Sequence, residues 1–95
     1  MLNLWTRECQ SDVRELDLDL PGVASLIEDA IQRGRFKNSE WCEQKTDGPW
    51  ALCDVYVLTR KEWNQHAHKE LDCSYYLKFA ISKTGTLLLV VSCHT

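Results

Sequence analysis

The last stretch of the chain, CSYYLKFAISKTGTLLLVVSCHT, constrains the fold more than any other. Between positions 73 and 81 the odd residues are Cys73, Tyr75, Leu77, Phe79 and Ile81, and the residues between them are Ser74, Tyr76, Lys78 and Ala80. A period of two is the mark of a strand with one buried face. Ser82-Lys83-Thr84-Gly85 carries turn chemistry, with Gly85 free to take a positive φ. Leu87 to Val91 is an unbroken apolar run of the kind found in a strand covered on both sides. The two segments, 73–82 and 86–93, therefore read as paired antiparallel strands. With Lys83-Thr84-Gly85 as the loop, Ser82 pairs with Thr86. Lys78 then faces Val90, Tyr76 faces Ser92 and Ser74 faces His94. Phe79 stacks on Leu89 and Leu77 on Val91. One face becomes core, and the other gathers Tyr76, Lys78, Ser92 and His94.

Ninety-five residues make one small domain, with residues 1–20 open to reading as a docking arm or an edge strand. Eleven Lys and Arg against fourteen Asp and Glu leave a formal charge of −3, which argues against broad binding to nucleic-acid phosphates but leaves room for a local basic cleft. No apolar run reaches membrane-spanning length, and the N-terminus lacks the order of a signal peptide, so a soluble cytoplasmic protein with no membrane partner is expected. The five cysteines are widely spaced without a CxxC pair. They read as reduced thiols packed as small hydrophobes, with no metal site and no cofactor implied.

Residues 21–33 give the clearest helix. Val23, Leu26, Ile27, Ala30 and Ile31 form one apolar stripe, Pro21 suits a first turn, and Gly34 stands just past the end. Arg33, Arg35 and Lys37 then make the densest basic cluster, either a solvated helix terminus or a substrate-binding edge. The alternating ELDLDL before the helix reads as a short strand or an acidic lead-in. Residues 50–58, WALCDVYVL, read as a central strand whose Asp54 needs a donor if it is buried. Thr59-Arg60-Lys61-Glu62 matches a capping box and predicts a helix over residues 60–71, with Trp63, Ala67 and Leu71 as its stripe. His66 and His68 on such a helix point apart and make no metal pair. The expected architecture is α+β: a small antiparallel sheet with two helices packed on it, ending in a β-hairpin.

Three stretches, the helix ending in IQRGRF, the strand-to-helix run CDVYVLTRKEW, and YYLKFAI followed by TLLLVVS, together resemble the RelE superfamily of bacterial toxin ribonucleases, most closely its MqsR branch. The resemblance implies a RelE-like fold and metal-independent cleavage of mRNA. By position it assigns Tyr76 to the functional tyrosine of a Tyr-Leu-Lys strand. Gln65 and His94 stand where that branch carries lysines. The resemblance also implies RNA and a cognate antitoxin-like protein as partners. The chemistry fits independently. Cleavage through the 2′-hydroxyl needs a base, a cation for the phosphate and an acid for the leaving oxygen. His94, Lys78 and Tyr76 supply side chains suited to such roles. The competing class is an acidic inhibitor, immunity-type or regulatory binding protein without enzymatic activity. Its working surface would be Asp12, Glu15, Asp17 and Asp19, with Trp5 or Trp41 as an anchor.

Overall fold

A computed structural model describes residues 2–82 and 84–95; the expected place of Lys83 in the turn lies outside the described residues. The chain runs β1 (Leu2–Leu4), α1 (Arg7–Glu15), α2 (Leu20–Arg33), β2 (Arg35–Glu43), β3 (Trp50–Asn64), β4 (Lys69–Ile81) and β5 (Leu88–His94). The strands form one sheet in the order β1-β5-β4-β3-β2. β1 runs parallel to β5 and the other neighbours are antiparallel, so the α+β class holds but the sheet is mixed rather than purely antiparallel.

The helix predicted over residues 60–71 is absent. Those residues extend β3 and β4 into a long two-stranded arm, with Arg60 paired to Cys73 and Asn64 to Lys69. The arm gives the molecule its 45 Å long axis. The capping box lost because its polar residues are better used in a sheet. Arg60 reaches Asp29 of α2, its Nε donates to Glu62 at 2.8 Å, and it lies 5.3 Å from the Tyr75 ring centre. The Tyr75 hydroxyl donates to Glu62 at 2.7 Å. The tip closes because the Asn64 side chain accepts from the Ala67 amide at 2.8 Å and His68 takes φ 53°. That Asn-centred turn was the readable signal at this point.

The second helix is instead α1. Thr6 caps it by accepting from the Cys9 amide, and the same hydroxyl donates to the Val91 carbonyl at 2.5 Å. Asp12 accepts from the Cys93 amide at 3.1 Å, which ties α1 beside β5. Asp19 caps α2 through the Gly22 amide, so ELDLDL is a lead-in rather than a strand. Gly34 ends α2 where a Cβ would come within 2.6 Å of the Ala30 carbonyl, and this close approach lets the chain turn straight into β2.

The main core lies between α1, α2 and one face of the sheet. Val23, Leu26, Ile27 and Ala30 pack with Leu58, Leu77, Phe79, Val90 and Cys93, and Cys9 and Val13 fill the β5 side. A smaller cluster of Cys42, Cys53 and Val91, with Trp5 against it, sits on the other, open face. All five cysteines are free thiols. No helix among the described residues is long and apolar enough to cross a membrane.

Segments 73–82 and 86–93 do pair, but not in the expected register. Ile81 pairs with Leu88, and Phe79 with Val90, so the connection is one residue longer than a Ser82–Thr86 closure. The Gly85 amide donates to the Ser82 carbonyl and the Ser82 amide to the Leu87 carbonyl, with Gly85 at φ 73°. A bulge between Lys78 and Phe79 adds a second residue, after which Lys78 pairs with Ser92, Leu77 with Cys93 and Tyr76 with His94. Phe79 therefore stacks on Val90 and not Leu89, and Leu77 on Cys93 and not Val91. Each one-residue slip exchanges faces, and two of them restore the phase.

Candidate functional site

The open face carries its polar residues in cross-strand rows. One row runs Arg35, Val57, Tyr76, His94, and the next runs Asn38, Val55, Lys78, Ser92. Directly opposed residues share a face, so these side chains project to the same side. The helices occupy the other side of the sheet here. The result is a shallow depression of about 250 Å3 lined by Glu8, Asn38, Glu40, Tyr76, Lys78, Ser92 and His94 over Val55.

Tyr76 and His94 stack, with ring centres 5.6 Å apart and planes inclined by 24°. Tyr76 remains 44% exposed, so the pair offers an accessible aromatic wall. Lys78 bonds to Glu40 across the pocket. That contact raises the Lys78 ammonium above its ordinary value and holds the Glu40 carboxyl below its own, so both are charged at neutral pH. Glu8 comes from α1, which reaches the pocket because Thr6 and Asp12 anchor that helix against β5. The face thus combines one cation, one imidazole, one phenol, an amide and two carboxylates within a small volume.

Tyr76, Lys78 and His94 are therefore brought together. Arg35 lies in the same row as Tyr76, two strands away, at about 10 Å given the usual strand spacing. Arg33 is not in this group: it closes α2, bonded to Asp29 at 2.8 Å. Lys37 is exposed at the bulge in β2 and lines no part of the depression. Gln65 is far away. It sits in the turn at the arm's tip, eight residues along β3 from Val57, or roughly 26 Å at the usual rise per strand residue. Its expected place beside the site depended on the helix that is absent. Asp54 is held structurally, accepting from Ser39 Oγ at 2.6 Å.

Sequence reasoning missed Glu8, Asn38 and Glu40. Glu40 had one available signal: a lysine on a half-buried strand face, Lys78, calls for a counter-charge. Among the described residues, no cluster of three or more His, Cys, Asp or Glu side chains is arranged to hold a metal ion. No family model, curated protein or solved structure matches the chain significantly.

Proposed function

We propose that the chain is a toxin-type endoribonuclease that cleaves RNA on the open face without a metal cofactor. The observation that carries this reading is the Tyr76–His94 ring pair standing in one depression with Lys78. A nucleobase stacks on the exposed Tyr76 ring, which offers a π-face at single-strand geometry. Lys78 then exchanges Glu40 for the scissile phosphate. His94 takes the proton of the 2′-hydroxyl, and the 2′-oxygen attacks phosphorus. The bond to the 5′-oxygen breaks, that oxygen is protonated from solvent, and the products are a 2′,3′-cyclic phosphate and a 5′-hydroxyl end. Arg35 extends the positive path along the same row. Gln65, Arg33 and Lys37 have no part in this scheme. The test is inducible expression in a bacterium. Wild type should slow growth and fragment transcripts, and His94→Ala and Tyr76→Ala, which removes the stacking ring, should relieve both effects while the protein still accumulates.

The second reading is an acidic inhibitor that occupies a basic partner. It is favoured by Glu8 and Glu40 in the depression and by the exposed Glu15, Asp17 and Asp19 at the α1–α2 connection. Asp12 drops out of that surface because it is bound to the Cys93 amide. Under this reading wild type is harmless, and charge reversal at Asp17 and Asp19 weakens capture of a basic nuclease.

A further inference from the structure

The β2 end of the sheet is open. β2 is the last strand in the order, with nine residues and no described element beyond it. Next to this edge, on the side of the sheet where the helices pack, α2 does not reach far enough to cover the sheet. Trp41 pairs with Leu52, and Glu43 with Trp50, on that uncovered end. Trp41 is 66% exposed, Trp50 59%, Leu52 51% and Phe36 52%. Continuing the register of Asp54 opposite Phe79 by two residues sets the exposed Ile81 beside Leu52. At about 200 Å2 per large side chain, the two tryptophans, Phe36 and Leu52 present roughly 450 Å2 of apolar surface. That is in the middle of the ~300–600 Å2 range of the largest patch on a typical monomer, a size that is often functional, and over half of the ~800 Å2 each partner gives to a standard interface. The free strand edge and its polar neighbours supply the rest.

The occupant follows from the charge order along the strand. β2 reads RFKNSEWCE: Arg35 and Lys37 fall in its first half, Glu40 and Glu43 in its second. An antiparallel copy of the same strand, centred near Ser39, sets each half against its opposite. With the bulge between Phe36 and Asn38 counted, Phe36 of one chain faces Trp41 of the other on the helix side, and on the open face Arg35 of one lies diagonally across from Glu40 of the other, each contact made twice by symmetry. A two-fold axis normal to the sheet keeps the helices of both chains on one side, so both apolar ends meet there. We propose that β2 pairs with β2 of a second copy, giving a two-fold dimer with a continuous ten-stranded sheet and both open-face depressions on its other side.

Sedimentation velocity across the micromolar range tests this, with thermal unfolding to confirm that each variant folds. Wild type should show concentration-dependent dimerisation. Trp41→Lys should weaken it at least about tenfold, as truncating a central aromatic anchor does. Phe36→Glu should weaken it as well, and combining Phe36→Glu with Trp41→Lys should recover part of the loss, because the two sites face each other across the axis. Phe36 is 52% exposed, so Phe36→Glu remains informative if Trp41→Lys does not fold. A monomer at every concentration would overturn the proposal and leave the edge to a different protein. A dimer indifferent to Trp41→Lys, or a double variant weaker than either single variant, would overturn it equally.

Discussion

Tyr76 lies directly across the sheet from His94, and their rings stack at 5.6 Å beside the Lys78–Glu40 ion pair. Both rings stand on the face away from the helices, so neither contributes to the main core. Tyr76→Phe and His94→Ala should accordingly shift the midpoint of thermal unfolding little. A loss of several kcal/mol in chemical denaturation would mean that the ring pair is structural.

The core faces make the opposite prediction. Leu77 and Leu26 are completely buried in the layer between helices and sheet. Leu77→Ala and Leu26→Ala should each cost about 2–5 kcal/mol in urea denaturation, because each opens a cavity in packed surroundings. Leu89, which faces away from Phe79 owing to the longer connection, is only half-buried, and Leu89→Ala should cost less than either.

Gly34 should resist substitution. Its Cβ would meet the Ala30 carbonyl at 2.6 Å and the Val57 carbonyl at 3.0 Å, both backbone atoms that cannot swing aside. Gly34→Ala should destabilise by about 1–3 kcal/mol, the usual range for overpacking. A neutral result in the same denaturation assay would contradict the close passage of α2 into β2.

Acid should weaken the base of the arm. Burial pushes Glu62 up, but hydrogen bonds from Tyr75 and Arg60 outweigh it and hold the carboxyl below its ordinary value. A carboxyl depressed in the folded state stabilises the fold fully above its unfolded value, about 4.3, and loses that contribution as pH falls through the lower folded value. Glu40 acts in the same direction through Lys78. Glu62→Gln should therefore flatten the acid limb of stability against pH. An unchanged limb would show that the Arg60–Glu62–Tyr75 group contributes nothing there.

Thiol chemistry should sort the cysteines by depth. Burial pushes Cys9 and Cys53 up to about 12 and Cys93 up to about 11, so their reactive thiolate forms are suppressed. Cys42 is also buried, whereas Cys73 is half-buried. Brief alkylation of the folded protein should label Cys73 first, and the unfolded chain should take five labels by intact mass without reductant.

Much of the sheet was legible because period two survives wherever one face is buried, as it does from Cys73 to Ile81. The stripe of Val23, Leu26, Ile27 and Ala30 was equally clear. Two elements were not. α1 buries only Cys9 and Val13, too few to give a helical period in a polar segment. β2 carries a bulge between Phe36 and Asn38 that breaks its alternation. The helix at residues 60–71 failed for a different reason: Thr59 to Glu62 is compatible with a cap locally, and the deciding partners, Asp29 and Tyr75, are distant in sequence. The site face was readable despite the wrong register, because the longer connection and the bulge at Lys78/Phe79 each moved β5 by one residue and restored the alternation. Glu40 and Glu8 stayed hidden because they come from the two elements that sequence could not assign.

The central claim is chemical, and cleavage of a single-stranded RNA by purified protein tests it most directly. Reactions contain a chelator, and the new ends are identified. Wild type should release 2′,3′-cyclic phosphate ends. His94→Ala should lower the rate by about 10²–10⁴-fold, the range for removal of a general acid or base. Gln65→Ala, at the far tip of the arm, should leave the rate within about twofold, since surface changes remote from a site have small effects. RNA left intact by wild type, or cleavage as fast with His94→Ala, would contradict the account and turn attention to the acidic inhibitor reading.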